Sequence, residues 1–175
     1  VINADTGVFM PDFRAGERNF QLIYQVAGRA GRHKKPGKAI IQTYNPQEMS
    51  IIMAAHQNLK QFYNATMSQR YDLNYPPFSR LARFVCSGFD KILVKKRIYS
   101  IFYLLKKIDA LTILGPSIAP IEKIRNSWRY HILIKYDINT PHILHNNIRN
   151  QILVLLDKPI NNVKTQIDID PISIL

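Results

Sequence analysis

Two adjacent prolines, in Tyr75-Pro76-Pro77-Phe78, set the strongest limit on how this chain can fold. The residue before a proline is pushed out of the α region, and proline itself has no N–H to give a helix or a central strand. A helix arriving from upstream must stop here. The hydrophobic rhythm also changes at this point, so we place a domain boundary here, giving parts 1–74 and 75–175.

The second part switches between the strand period and the helix period. Residues 79–87 read as a strand. Residues 90–107 read as an amphipathic helix with Val94, Ile98, Ile101 and Leu105 on one face. Residues 113–124 read as irregular, then extended, broken by Gly115-Pro116 and Pro120. Residues 129–136 alternate, with Tyr130, Ile132, Ile134 and Tyr136 on one side and Arg129, His131, Leu133 and Lys135 on the other. Residues 141–156 read as a second helix and 163–170 as a last strand. That order is β-α-β-β-α-β, the split ferredoxin-like arrangement, which by itself implies no function.

In the first part, residues 4–16 read as a loop, with Gly7, Pro11-Asp12 and Gly16 as turn signals. A helix is expected from Glu17 to Gly31, with Phe20, Ile23, Tyr24 and Ala27 on one face. Residues 38–44 read as a short buried strand. Residues 47–73 read as helical, as two helices broken near 56–58. Val1-Ile2-Asn3 reads as the tail of a buried strand that began upstream, so the chain is expected to be a C-terminal piece of something longer.

A hydrophobic content of 46% with 21% charged residues suits a folded core. The formal net charge of +12 favours a polyanionic partner, nucleic acid first and an anionic membrane surface second. No apolar run approaches membrane-spanning length, and the N-terminus lacks a signal-peptide pattern. Cys86 is the single cysteine, so it forms no internal disulfide; a reducing compartment and a buried small hydrophobe are the simplest readings. The histidines at 33, 56, 131, 142 and 145 show no ligand spacing, and we read no metal site. No Ser-His-Asp or paired-carboxylate arrangement stands out.

The chemistry concentrates in residues 17–32, ERNFQLIYQVAGRAGR, which end in Gln25-x-x-Gly28-Arg29-x-x-Arg32. Two arginines three apart on a helix can bring two guanidinium forks to one anion, and a nucleotide γ-phosphate is the obvious candidate. The plainer reading is a basic helix end, where Arg satisfies terminal carbonyls and the dipole. His33-Lys34-Lys35 with Lys38 either holds nucleic-acid backbone or forms a solvated loop. Lys91, Lys95, Lys96, Arg97, Lys106 and Lys107 fall on the polar face of their helix, solvated by default and a DNA contact in the alternative. Trp128 and Tyr130, flanked by Arg125 and Arg129, are an aromatic-plus-basic mix on which a base could stack. Tyr130 alternates with Ile132 and Ile134 and reads as core, so Trp128 is the better candidate.

The Gln25 to Arg32 pattern resembles motif VI of superfamily-2 helicases. Together with Ala4-Asp5-Thr6-Gly7 and Pro11-Asp12-Phe13-Arg14-Ala15-Gly16-Glu17-Arg18, it resembles the PriA family of bacterial primosomal (replication-restart) DNA helicases. Further likeness runs through Pro36-Gly37-Lys38, Ile40 to Pro46, Tyr75 to Leu81, Leu114-Gly115-Pro116, Ala119-Pro120, Arg129-Tyr130 and Asp168-Ile169-Asp170-Pro171.

The resemblance implies an α/β chain: the C-terminal part of a RecA-like helicase lobe (1–74), then an α+β ferredoxin-like C-terminal domain that binds DNA and partners (75–175). It implies ATP-driven 3′→5′ unwinding at stalled forks and help in reloading the replicative helicase. Arg32 would be the arginine finger, with Arg29 beside it. Gln25, Gly28, Asp5 and Gly7 would serve the nucleotide site, with Asp5 orienting the arginines. Arg14, Lys34, Lys35, Lys95, Lys96, Arg97, Trp128 and Arg129 would contact DNA. The implied cofactor is ATP with Mg, shared with a first lobe that this sequence lacks. Zinc belongs to the full-length family, with no site in this chain. Implied partners are forked and single-stranded DNA, the single-stranded DNA-binding protein and other primosome proteins, with no membrane, in the bacterial cytoplasm at the nucleoid.

No G-x-x-x-x-G-K-[ST] loop and no DEAH-type motif occur in the sequence. The chain alone is therefore expected to hydrolyse no ATP. The competing expectation is a non-enzymatic nucleic-acid-binding or scaffold module left from a decayed helicase gene, with RNA binding as a variant.

Overall fold

The structure is a computed structural model and describes residues 2–30, 38–139 and 162–174, with Asn146 and Asn150. Contacts divide the chain into two compact units, Val1–Leu73 and Asn74–Leu175.

In the first unit, β1 (Ile2–Asn3) runs parallel to β2 (Ile41–Gln42). Helices α1 (Asp5–Val8) and α2 (Ala15–Ala27) lie between them in sequence, and α3 (Met49–Ala55) and α4 (Leu59–Asp72) follow. The stretch expected as loop thus contains a short helix, and α2 begins two residues earlier than read. The reason is Asp12, whose carboxylate accepts the Arg14 N–H at 2.9 Å while its carbonyl accepts the Ala15 N–H, also at 2.9 Å. That turn feeds directly into the helix. At the other end α2 stops at Ala27, short of Gly31, where the Gly28 N–H closes on the Tyr24 carbonyl at 2.9 Å.

Gln57, at φ 52, interrupts the helical run, and Asn58 caps α4 by accepting the Gln61 N–H at 3.1 Å. The core gathers Ala4, Phe20, Ile23, Ile51, Ala54 and Phe62, with the Phe20 and Phe62 rings stacked at 4.0 Å. The strand expected over 38–44 shrinks to two residues, because its partner β1 offers only two for pairing. Among the described residues this unit holds one two-stranded parallel pair, so a RecA-like lobe with its multi-stranded sheet is not in this chain.

The second unit contains β3 (Ser79–Gly88), α5 (Lys91–Leu105), β4 (Thr112–Ile124), β5 (Ser127–Asp137) and β6 (Val163–Ile169). The sheet order is β4-β5-β3-β6, with every neighbour antiparallel. This is the strand order of the split arrangement; the helix read over 141–156 lies outside the described residues. Asp90 caps α5 by accepting the Ile92 and Leu93 N–H groups at 2.8 and 3.2 Å. Val94, Ile98, Ile101 and Leu105 pack on Ala82, Phe84, Cys86, Tyr130, Ile132, Ile134 and Tyr136. Each fully buried aliphatic side chain contributes roughly 1.5–3 kcal/mol, so this layer holds α5 to the sheet.

β4 pairs with β5 discontinuously, with register shifts between Leu114 and Ser117 and between Ile118 and Lys123. The first shift falls at Gly115-Pro116, where Pro116 has no donor and Gly115 sits at φ +103. The opposite sheet face is not plainly solvated. Leu81, Arg83, Leu133 and Lys135 are buried there, the Lys135 ammonium lies 3.5 Å from the Tyr75 ring centre, and the Asp170 N–H returns to the Leu81 carbonyl at 2.8 Å. Among the described residues no helix is long and apolar enough to cross a membrane.

Candidate functional site

In the first unit, the block Pro11 to Arg18 builds the entry to α2. The Asp12 carboxylate, fully buried, pairs with Arg18 at 3.1 Å. The Phe13 ring lies under two guanidinium groups, Arg14 at 4.4 Å and Arg70 at 5.0 Å. Arg70 also pairs with Glu17, which ties α4 to the first turn of α2. The block therefore does structural work, and Arg14 is engaged with an aromatic ring.

Asp5 is buried, and both carboxylate oxygens serve the residues just after β2: one accepts the Thr43 hydroxyl at 2.6 Å, the other the Tyr44 N–H at 2.9 Å. These bonds hold its carboxyl below the usual range, the Thr43 bond most. Its described partners are thus donors just past a strand end, while Arg32 lies outside the described residues. Gly7 lies against Asn19, where an added Cβ would meet the side-chain oxygen at 3.4 Å; Asn19 in turn donates to Ser50 at 3.0 Å. Gln25, Gly28 and Arg29 are exposed at the end of α2. Gln25 lies in the last turn of α2, and Arg29 lies in the turn just beyond it, its N–H closing on the Val26 carbonyl at 3.2 Å. An amide and a guanidinium there suit an anionic nucleotide. Arg32, Lys34 and Lys35 lie outside the described residues.

In the second unit, Lys95 and Lys96 are exposed on α5, with Lys95 5.8 Å from the Tyr99 ring centre. Arg97 is a correction. It is 4% exposed, and its Nε donates to the Thr165 hydroxyl at 3.2 Å. Three residues after Val94, position 97 borders the apolar stripe, so its stem buries and its head turns to β6. Trp128 already has neighbours on its ring. It is half-buried, and the ammonium groups of Lys91 and Lys123 rest on its ring at 4.1 and 4.4 Å. Lys91 also pairs with Glu122 at 3.5 Å. The indole joins α5 to the β4–β5 hairpin, and a stacking base would have to displace a lysine. What faces solvent here is a basic rim of Lys91, Lys123 and Arg125. Arg129 is half-buried and donates to the Ile121 carbonyl at 3.2 Å.

Sequence reasoning missed Lys123 and Arg83. Lys123 needed the hairpin register to be seen. Arg83 was visible as the polar member of Leu81-x-Arg83-x-Val85, facing away from the helix layer. Among the described residues no three His, Cys, Asp or Glu side chains gather as metal ligands.

Comparison with known proteins bears on these surfaces. Residues 71–172 match the family model described as Primosomal protein N C-terminal domain. The chain is similar to "Replication restart protein PriA" of Bacillus subtilis, 39% identical over 170 residues, covering 96% of this chain and 20% of that protein. It is 41% identical over 134 residues to the protein of the same name from Treponema pallidum, covering 75% of this chain and 20% of the relative. The corresponding figures for Borreliella burgdorferi are 34% over 178 residues, 100% and 26%. The chain thus spans about a fifth to a quarter of these relatives' length.

Proposed function

The chain belongs to the replication restart protein PriA family, as its C-terminal portion, and from that premise we propose that it serves replication restart on DNA. The observation that carries this is similarity running through both units, not through one isolated motif. In this reading the first unit contributes to an ATP-driven 3′→5′ helicase. Gln25 in the last turn of α2 supplies an amide, Gly28 the turn that ends the helix and Arg29 a guanidinium, and Arg32 follows as the finger. ATP with Mg would supply the phosphoryl chemistry from the other side; these residues bind and sense the γ-phosphate.

The second unit binds forked or single-stranded DNA through Lys95, Lys96 and the rim of Lys91, Lys123 and Arg125 around Trp128. The single-stranded DNA-binding protein and other primosome proteins are its proposed protein partners. The same reading makes this chain, by itself, silent in ATP hydrolysis, because it has no P-loop to hold the β-phosphate.

Two measurements on the purified chain test this division. Phosphate release with and without forked DNA should stay at background, and DNA-stimulated release would overturn the division. Forked DNA should compete out a labelled single strand better than an RNA of equal length. Clear preference for RNA would sink the restart reading in favour of an RNA-binding module.

A further inference from the structure

Helix α5 has two long sides, and the core uses one. Val94, Ile98, Ile101 and Leu105 are buried against the sheet. On the other side the helical period sets Ile92, Tyr99 and Tyr103 in one line, with Lys95 and Lys106 along one flank and Lys96 and Lys107 along the other. The Lys106 and Lys107 N–H groups still close on the Phe102 and Leu104 carbonyls, at 2.9 and 3.1 Å, so this side continues past Leu105. Ile92 is 77% exposed and Tyr103 60%. Tyr103 is held by its neighbours: the Phe102 ring meets it edge to face at 5.5 Å, and the Tyr99 ring stands 6.4 Å away. A ring fixed in this way loses little freedom when a flat group lies on it.

The charge on this side has one sign. Between Lys91 and Lys107 there is no Asp or Glu. Asp90 lends its carboxylate to the helix start, and Asp109 lies past the end. Lys95, Lys96, Lys106 and Lys107 make no ion pair among the described residues. The helix dipole accounts for Lys106 and Lys107 but not for Lys95 and Lys96, which lie in the N-terminal half. The two pairs stand about 16 Å apart along the axis, with Tyr103 between them. Cations spaced along a ridge of rings match a chain that alternates anions with flat faces. An unpaired strand offers both, whereas a duplex offers its phosphates and hides its base faces. A helix lying in a membrane surface needs a wider apolar face than Ile92 and two tyrosines provide.

We propose that the outer side of α5 is a track for single-stranded DNA. An unpaired base stacks on Tyr103, and Lys95, Lys96, Lys106 and Lys107 hold the phosphates on either side of it. The inference rests on the DNA-binding reading of the second unit and adds a base-stacking residue to it.

The test is fluorescence anisotropy of a labelled oligothymidylate titrated with the whole chain over a range of salt. Tyr103→Ala should weaken binding about tenfold, the loss expected for one stacked base, and Tyr103→Phe, which keeps the ring, should restore it. Tyr103→Ala should leave the salt dependence unchanged, because no phosphate contact is lost. Lys107→Ala should instead make the slope of log affinity against log salt shallower by about 0.7, the single-strand value for one phosphate. Affinity for a blunt duplex should be the same in Tyr103→Ala and the parent chain. Tyr103 is mostly exposed, so its replacement leaves the core packing in place, and an unchanged urea midpoint checks this. Oligothymidylate binding that Tyr103→Ala leaves intact overturns the track while the DNA-binding reading stands. Equal losses on strand and duplex also overturn it, since the ring would then serve the fold and not a base. Loss of binding to phosphatidylglycerol vesicles in Tyr103→Ala, with strand binding kept, would assign the stripe to a membrane surface and overturn it too. If neither strand nor duplex binds the parent chain, the DNA-binding reading falls and the track falls with it.

Discussion

His131 lies between Val85 of β3 and Ser117 of β4, with Arg83 and Arg129 as the cations that bear on it. Its folded value of about 4 lies below the ordinary 6.5. Above pH 6.5 both states are neutral there and nothing changes. As pH falls from 6.5 toward 4, the unfolded chain takes up a proton that the folded chain refuses, so stability drops. At pH 5 the loss from this group, lessened by screening at a partly exposed ring, is on the order of 1 kcal/mol. Urea unfolding at pH 7 and pH 5 should show this drop, and His131→Gln should remove that component; equal pH dependence in both proteins would contradict it. Cys86 makes a complementary case. Burial raises its thiol to about 11 despite the Thr165 contact, so alkylation at pH 8 should be slow in the folded chain and rapid in urea. Fast native labelling would show the site to be open. Cys86 and Tyr130 were legible in sequence because alternation alone puts them inside. Arg97 and Trp128 were not, because a side chain's charge or ring says nothing of which neighbour claims it.

At the scale of elements, long periodic segments carried their own assignment. The α5 stripe and the β5 alternation place Val94, Ile98, Tyr130 and Ile132 without reference to anything else. Short elements did not. α1 depends on tertiary context and β2 on a partner of two residues, so neither has a pattern of its own. Gly88 shows a constraint that only pairing reveals. At the end of β3 an added Cβ would lie 2.6 Å from the Asn162 carbonyl oxygen and 3.1 Å from a Val94 methyl. The first neighbour is backbone and cannot swing away. Gly88→Ala should therefore destabilise the second unit by about 1–3 kcal/mol, as overpacking does. Chemical denaturation with a probe in this unit would show it. An unchanged midpoint would mean that the β3–β6 approach is looser than described.

At the scale of the whole chain, the proposed function assigns different work to the two units. No P-loop pattern occurs in the sequence, and the described residues of the first unit hold one two-stranded parallel pair. The +12 charge gives both units reason to meet a polyanion. The candidate site was half legible. Gln25 and Arg29 stand as readings from spacing, while the Lys91–Trp128–Lys123 clasp required strand register. The measurement that tests the account most directly is the affinity of the chain for forked DNA as a function of salt. Each phosphate neutralised contributes about −0.9 to the slope of log affinity against log salt on duplex DNA. The account predicts a slope steeper than about −3, reduced by about one on Lys123→Ala. Affinity that stays flat across the salt range would contradict it.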